Sequence, residues 1–254
     1  MVQESNIGKN AADAMEEAIA WHTVCIISED GKSIGTGSLI RWRGRKLILT
    51  ARHVVQDSTN EGLRFHFRPE GTMKRAPLGE VHGHPELRYR QKVKIEIVAR
   101  HAASSVDLAA LELADVLPSR QPARFFDLDV DATAPGAGTV LAFRGYPSDM
   151  ADEVHPGALA SFAVMDWGQI ERPHDLDRFD PAAEFLVKFS QAEGGIHARG
   201  FSGTGSWYHC HVSEIWHPNL RLAGVCTHYY APSKLLNFLR VENVTAFLRG
   251  TFAE

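Results

Sequence analysis

Residues 37–50 read Gly37-Ser38-Leu39-Ile40-Arg41-Trp42-Arg43-Gly44-Arg45-Lys46-Leu47-Ile48-Leu49-Thr50, two short apolar runs on either side of a basic turn. Such runs favour β-strands, and the turn between them is typical of a solvated hairpin. Similar runs, separated by Gly, Pro, Asp and Asn, continue along the chain and predict an all-β fold. About eleven strands are expected, at residues 23–27, 37–42, 46–50, 63–67, 93–98, 108–113, 139–143, 158–164, 184–189, 206–209 and 222–226.

Two helices and a linker complete the predicted organisation. Residues 10–19 have helical spacing with Asn10 as the candidate N-cap, and residues 241–248 return to a period near 3.6 before Gly250, which is expected to end that helix. The segment 127–138 is rich in Asp, Ala, Pro and Gly and separates two strand-rich halves, each expected to form a small barrel. The predicted units are an N-terminal helical extension at 1–20, a first barrel at 21–130, a second barrel at 131–238 and a C-terminal helix at 239–254.

The composition limits the classes of partner. The chain has 254 residues, 44% of them hydrophobic and 23% charged, which is typical of a globular protein with a substantial core. Its net charge is −4 and it contains no long block of like charges, so nucleic acid is not expected as a partner. The basic stretch 41–46 is interpreted as the solvated turn. No apolar stretch approaches the length of a membrane span, so no membrane is expected either.

Cysteine usage and the first residues predict the compartment. Cys25, Cys210 and Cys226 are an odd and sparse set, which favours free thiols in a reducing compartment. The first residues lack the basic and apolar regions of a secretory signal. A cytoplasmic location is therefore expected.

Three segments each place one reactive residue at the end of an apolar run or in a tight turn. His53 lies in the run 47–55, Asp107 opens the run 107–111, and Ser202 lies in Gly200-Phe201-Ser202-Gly203-Thr204-Gly205. A hydroxyl needs a base to become a nucleophile, and a histidine base needs a group that fixes its tautomer and stabilises its cation. Serine, histidine and a buried aspartate meet these needs.

The glycines around Ser202 suggest an oxyanion-binding turn. Two backbone N–H groups must point at the developing negative charge, and a turn without bulky side chains leaves room for them. The candidate donors are the N–H groups of Gly200 and Ser202.

Other clusters of reactive residues have less support than this one. His82-Gly83-His84 and His209-Cys210-His211 each place two histidines on one side of an extended segment, as zinc ligands would lie, but neither has an obvious third and fourth ligand in sequence. Cys210 and Cys226 do not lie in a glycine-rich turn like that of Ser202, which disfavours a cysteine nucleophile. No metal and no cofactor are therefore expected.

These motifs resemble those of the trypsin-like (chymotrypsin-fold) serine endopeptidases. The histidine motif of that family is similar to Thr50-Ala51-Arg52-His53-Val54 of this chain. Its aspartate motif is similar to Asp107-Leu108-Ala109-Ala110-Leu111, and its serine motif is similar to Gly200-Phe201-Ser202-Gly203. The resemblance extends to residues 35–40, 145–147 and 222–225. It implies two antiparallel six-stranded β-barrels, with His53 and Asp107 from the first barrel and Ser202 from the second meeting in the cleft between them.

The chain departs from the secreted members of that family at Phe201. Many relatives have an aspartate there that captures a newly cut N-terminal amine, and a phenyl ring cannot form that ion pair. Activation by N-terminal trimming is therefore not expected. An always-active endopeptidase would endanger a cytoplasm, so we hypothesise that activity is gated by the glycine-rich loop 193–200, whose ordering is costly.

The resemblance also suggests which residues bind substrate. Thr227, His228 and Tyr229 are expected to form the wall that pairs with an extended substrate, and Ile196, His197 and Ala198 are expected to line the pocket. No aspartate occurs at 196–200, so a preference for Lys or Arg is not supported. A pocket histidine would favour acidic or amide side chains, whereas Tyr229 would narrow the pocket for small ones.

The sequence thus predicts a serine endopeptidase with a protein or peptide substrate and a regulatory protein partner. The alternative from a different class is a catalytically silent protease fold that serves as a peptide-binding or scaffold module.

Overall fold

The structure is a computed structural model that describes residues 2–28, 34–66, 95–103, 105–114, 124–155, 158–161, 163–172, 176–209 and 220–253, with side chains left out at 2–10 and 150–161. The elements are α1 (Val2–Trp21), β1 (Thr23–Ser28), β2 (Ile34–Trp42), β3 (Arg45–Ala51), α2 (Arg52–Val55), β4 (Leu63–His66), β5 (Ile97–Ala103), β6 (Leu108–Leu113), β7 (Phe126–Asp127), β8 (Val140–Gly145), β9 (Ala151–His155), β10 (Ala158–Ser161), β11 (Val164–Gln169), β12 (Glu184–Lys188), β13 (Gly205–His209), β14 (Leu220–Tyr230), β15 (Leu235–Arg240) and α3 (Val241–Thr251).

The first sheet is built around the predicted hairpin. Its strands follow the antiparallel order β4-β1-β2-β3-β6-β5, and the two-residue strand β7 adds in parallel to β2. In the β2–β3 hairpin, Trp42 pairs with Arg45, and the two turn residues have positive φ values, 48° at Arg43 and 83° at Gly44. Positive φ at both positions gives the turn whose twist matches that of the flanking strands. The basic turn therefore sets the register of the strand that leads to His53.

The second sheet curls until its two edges meet. Its order is β11-β8-β13-β14-β15-β12, and an isolated bridge between Ile170 and Val187 connects the end of β11 to β12. The short hairpin β9–β10 forms a separate two-stranded sheet. The prediction of an all-β fold with two six-stranded antiparallel curled sheets and terminal helices is confirmed, with β7 as an addition.

The two sheets share one apolar core that the terminal helices cover. Trp42 of the first sheet and Trp207 of the second are both fully buried, and they belong to one cluster with Ile19 of α1 and Val244 of α3. Each sheet also encloses a cluster of its own, and the one in the second sheet is rich in phenylalanine. Because the shared cluster joins both sheets and both helices, it determines how the sheets lie relative to each other.

Several element boundaries differ from the sequence predictions. The single strand expected at 158–164 is two strands, β10 and β11. Ser161 is the one polar residue in this apolar stretch and was not sufficient to indicate the break. β15 was not predicted, because a strand buried on both faces lacks the alternation that reveals a half-exposed one. Of the strand predicted at 93–98, the first two residues lie outside the described ranges, and β5 begins at Ile97.

The helices are longer than predicted. Asn10 lies inside α1 and not at its N-cap, and α3 continues through Gly250 to Thr251. An added Cβ at Gly250 would meet nothing within 4 Å, and its φ is not positive, so this glycine does not act as a helix stop. Among the described residues, no helix is both long and apolar enough to cross a membrane.

Replacement of Phe238 tests the core of the second sheet. The Phe238 ring stacks on Phe185 at 5.4 Å and is fully buried. We expect Phe238→Ala to lower the free energy of unfolding by about 3–5 kcal/mol, since it leaves a cavity that the sheet cannot fill. Urea unfolding followed by fluorescence measures this. The control Val140→Ala, at a side chain that is 49% exposed, should change it by less than about 0.5 kcal/mol. Equal losses in the two variants would contradict this account of the core.

Candidate active site

His53 is positioned at the site by the end of β3. Ala51 keeps an extended backbone, with φ −69° and ψ 141°, and the chain then turns into the short helix α2. In the register of β3 with β6, Ala51 pairs with Leu108, and the ladder is extended by a hydrogen bond of 3.0 Å from the Arg52 N–H to the Asp107 carbonyl. Strand pairing therefore places His53 beside Asp107 although 54 positions separate them.

Asp107 holds the histidine through both carboxylate oxygens. Its Oδ1 accepts the backbone N–H of His53 at 3.2 Å, and its Oδ2 lies 2.7 Å from the His53 Nδ1. The backbone φ of Asp107 is 47°, in the left-handed region that aspartate tolerates better than most residues. The sequence predicted a buried aspartate, but 34% of this side chain is exposed, because it lies in the turn between β5 and β6.

Ser202 approaches from the second sheet. Its Oγ lies 2.9 Å from the His53 Nε2. On one side of the serine turn, the Ser202 carbonyl accepts the N–H of Thr36 at 2.9 Å, and on the other the Gly203 N–H donates to the Cys226 carbonyl at 2.7 Å. The structure thus brings together the three residues that the sequence singled out, in one line from carboxylate to imidazole to hydroxyl.

The turn before Ser202 leaves two amides unused. The Phe201 N–H donates to the Ala198 carbonyl at 2.9 Å, and Gly200 has a φ of 99°, which together define a type II turn. Within the part of the chain that the structure describes, neither the Gly200 nor the Ser202 N–H donates a hydrogen bond. A Cβ at Gly200 would collide with the Tyr146 carbonyl oxygen, so both the φ and the space require glycine.

Phe201 anchors this turn in the core of the second sheet. The side chain is fully buried, and its ring lies 5.0 Å from that of Phe189 and 6.3 Å from that of Phe143. It also packs directly on Gly145, where an added Cβ would be only 2.6 Å from the ring. Apolar packing therefore takes the place of the aspartate that many relatives have at this position.

A cleft of about 460 Å³ opens beside the serine. It is lined by His53, Asp149, His197, Arg199, Ser202, Thr227, His228, Tyr229 and Ala231. Four of the six predicted substrate-binding residues are therefore brought to it. The remaining two, Ile196 and Ala198, pack on the apolar cluster of the second sheet and do not line the cleft, because they face the Phe201 side of the turn.

Sequence reasoning missed two charged residues of this cleft, Asp149 and Arg199. Arg199 directly precedes the serine motif, and Asp149 follows the motif at 145–147, so proximity to the motifs was the available signal. Burial raises the pKa of the Tyr229 phenol, so this side chain stays protonated and can donate a hydrogen bond into the cleft.

The alternative reactive groups gain no support from the described residues. Cys226 is buried, and this burial raises the pKa of its thiol strongly, which keeps it from forming a reactive thiolate. The candidate zinc ligands at 82–84 and at 210–211 lie outside the described residues. In the remainder of the chain, no cluster of three or more His, Cys, Asp or Glu side chains is arranged to hold a metal ion.

Comparison with known proteins identifies the family of the chain. Residues 35–190, more than half of the chain, match the trypsin-like peptidase domain family. The chain belongs to this family. The matched part of the trypsin-like peptidase domain includes His53 and Asp107 and ends before Ser202, so the place of the serine rests on the geometry described above.

One solved structure similar to this trypsin-like chain is an inactivated protease paralogue of the scabies mite, S-I1. It is 16% identical, aligns with a TM-score of 0.56, and the alignment covers 91% of this chain and 93% of that chain. At this identity the likeness shows the fold alone. No curated protein gives a significant match.

The apolar anchor of the serine turn can be tested with Phe201. We expect Phe201→Asp to lower the free energy of unfolding by roughly 3–5 kcal/mol, because it buries a carboxylate among phenyl rings with no partner. Phe201→Leu, which keeps the site apolar, should cost only about 1–2 kcal/mol. Urea unfolding of both variants measures the difference, and an aspartate variant as stable as the leucine variant would contradict the anchor.

Proposed function

We propose that this chain is a serine endopeptidase that cleaves protein or peptide substrates through an acyl-enzyme. The observation that carries the proposal is the hydrogen-bonded line from Asp107 through His53 to Ser202, with distances of 2.7 and 2.9 Å. These residues come from two different sheets. An aspartate that hydrogen-bonds to a histidine, which in turn hydrogen-bonds to a serine, is the arrangement that activates a hydroxyl as a nucleophile.

The proton inventory assigns a role to each residue. An ionised carboxylate only accepts hydrogen bonds, so the Asp107 Oδ2 requires the His53 Nδ1 to carry a proton. The neutral His53 then has a free lone pair on Nε2, directed at the Ser202 hydroxyl. In the proposed reaction His53 takes the hydroxyl proton as Ser202 attacks the carbonyl, and returns it to the leaving amine. Water then resolves the acyl-enzyme by the same route.

The unused amides of Gly200 and Ser202 supply the proposed oxyanion site. The tetrahedral intermediate places a negative charge on the former carbonyl oxygen, and preorganised N–H donors stabilise it without reorganisation. On either side of Phe201, these two amides have no acceptor among the described residues. This supports the proposed role, since buried amides are otherwise paired within the protein.

An extended substrate is proposed to bind along the end of β14. The pairing of β13 with β14 stops at Val225, so from Thr227 to Tyr229 the edge opposite β15 carries no strand within the described residues. Such an edge can pair with a peptide backbone. Arg199 and the imidazoles of His197 and His228 favour acidic or amide side chains over basic ones, with Asp149 as the opposing charge in the cleft. Cleavage-site profiling with a peptide library reads out this preference.

A cytoplasmic location and a gate at residues 193–200 belong to the same proposal. The small and odd set of three cysteines supports a reducing compartment. No described residue lies within 4 Å of an added Cβ at Gly194 or Gly195, and Gly195 has a φ of 83°. We infer that this part of the loop is open enough for a regulatory partner to reach.

Labelling with a fluorophosphonate tests the nucleophile. We expect wild-type protein to be labelled and Ser202→Ala to remain unlabelled, because the probe reacts with an activated serine hydroxyl. Asp107→Asn should react about 10⁴-fold more slowly, since the amide supports the wrong imidazole tautomer. Intact-mass spectrometry and in-gel fluorescence give the rates.

The matched control for this experiment is Ser206→Ala, at a buried serine whose hydroxyl donates to the Gly224 carbonyl away from His53. It should be labelled like wild type. Label that persists in Ser202→Ala would overturn the nucleophile, and a wild-type protein that never reacts would favour the silent peptide-binding module.

The time course of labelling tests the gate. If the loop at 193–200 gates activity, purified protein should be labelled slowly or in part, and Gly194→Ala should change the rate because it restricts the loop backbone. Full and immediate labelling of the purified wild-type protein would contradict the gate while leaving the proposed triad intact.

A further inference from the structure

Thr36 connects the first sheet to the serine turn of the second. It lies in β2, fully buried, and pairs with Cys25 on its own sheet. All of its polar groups nevertheless engage partners near the active site. Its backbone N–H donates to the Ser202 carbonyl at 2.9 Å, and its carbonyl accepts the hydroxyl of Thr50 at 2.8 Å.

The hydroxyl of Thr36 bridges two segments that flank the proposed oxyanion site. It donates to the Gly200 carbonyl at 2.7 Å and accepts the Tyr146 backbone N–H at 3.0 Å. Both partners are buried. A hydroxyl supplies one donor and accepts in return, so it satisfies both groups at once. No other side chain among the described residues bonds to the Gly200 carbonyl.

The segment that begins at Tyr146 sets the direction of the Gly200 amide. Two residues on, the Ser148 N–H donates to the Arg199 carbonyl at 2.8 Å. In a trans peptide the C=O and the N–H point in opposite directions. The bond to the Arg199 carbonyl therefore turns the Gly200 N–H away from Ser148, and a flip of this peptide would break it. The Thr36 hydroxyl accepts the Tyr146 N–H, in the segment that carries Ser148, and donates to the carbonyl of Gly200, the residue whose N–H is being oriented.

We propose that Thr36 is a positioning residue, and that its hydroxyl fixes the oxyanion-binding amides of Gly200 and Ser202. It clamps the serine turn against the segment 146–148, so that the carbonyls of Arg199, Gly200 and Ser202 are all held and the N–H groups of Gly200 and Ser202 stay available. This inference rests on the proposed endopeptidase function. It assigns Thr36 no direct contact with substrate.

A valine at position 36 keeps the shape of the side chain and removes the clamp. The Gly200 carbonyl and the Tyr146 N–H would both remain buried without a partner, which favours rearrangement of the turn. Misplacement of a catalytic donor by about 1 Å, or its loss, lowers rates by about 10²-fold or more. The predicted defect therefore lies in the chemical step and not in the first contact with substrate.

The first measurement is fluorophosphonate inactivation, resolved into the maximal rate and the probe concentration at half-maximal rate. We expect Thr36→Val to lower the maximal rate about 10- to 100-fold and to change the half-maximal concentration less than about 2-fold. Thr36→Ser, which restores the hydroxyl, should return the rate to within about 3-fold of wild type. If Thr36→Val does not fold, Thr36→Ala removes the same hydroxyl without the added methyl group.

Thr23→Val is the matched control. Thr23 is also a buried threonine of the first sheet, and its hydroxyl donates to the Ile19 carbonyl at 2.8 Å, away from the site. We expect this variant to keep the wild-type inactivation rate. A rate equally low in Thr23→Val and Thr36→Val, or a Thr36→Val rate equal to that of wild type, would overturn the inference.

The second measurement does not require activity. Amide hydrogen exchange over residues 198–204 should be faster in Thr36→Val than in wild type, Thr36→Ser and Thr23→Val, while exchange in β15 stays unchanged. Unchanged exchange over 198–204 would overturn the clamp. If the wild-type protein is not labelled by the fluorophosphonate, but amide exchange over 198–204 is faster in Thr36→Val than in wild type, the endopeptidase proposal fails and the clamp stands.

Discussion

The contact between the two sheets is the constraint on which the whole site depends. His53 follows the end of β3 and Asp107 precedes the start of β6, whereas Ser202 belongs to the second sheet. The contact of 2.9 Å between the His53 Nε2 and the Ser202 Oγ spans the two sheets, so it requires them to keep their relative position. The shared apolar cluster with Trp42 and Trp207 packs the two sheets together. Thr36 adds directed hydrogen bonds to the serine turn, where the geometry of the backbone matters. Non-directional packing and directional bonding thus both stabilise the contact between the sheets.

The sequence predicted what is local along the chain. His53 at the end of an apolar run, Asp107 at the start of one and Ser202 among glycines are each visible within a few residues, and the family resemblance placed them in one cleft. Element boundaries were less predictable, because β15 is buried on both faces and its pattern resembles any apolar run. The exposure of Asp107 was also missed, since burial depends on which segments cover a turn.

The contacts of the cleft could not be obtained from local patterns. Thr36 and Gly200 are separated by 164 positions, and nothing in the motif Gly35-Thr36-Gly37 indicates which carbonyl its hydroxyl meets. Asp149 and Arg199 were overlooked for the same reason, as charged residues beside a motif are usually solvated. The predicted pocket residues Ile196 and Ala198 lie on the core side of their segment, because the turn at 198–201 reverses direction just before the serine.

The aromatic setting of Phe201 has a consequence for how such a protein is controlled. Its phenyl ring is held by neighbours from β8 and the segment after β12, all parts of the same folded chain, and requires no charged group to arrive from elsewhere. The shape of the serine turn therefore depends on apolar packing within the folded chain. A newly cut N-terminal amine would find a phenyl ring and not a carboxylate at position 201, so regulation in the proposed function falls to the loop at 193–200 and to occlusion of the cleft.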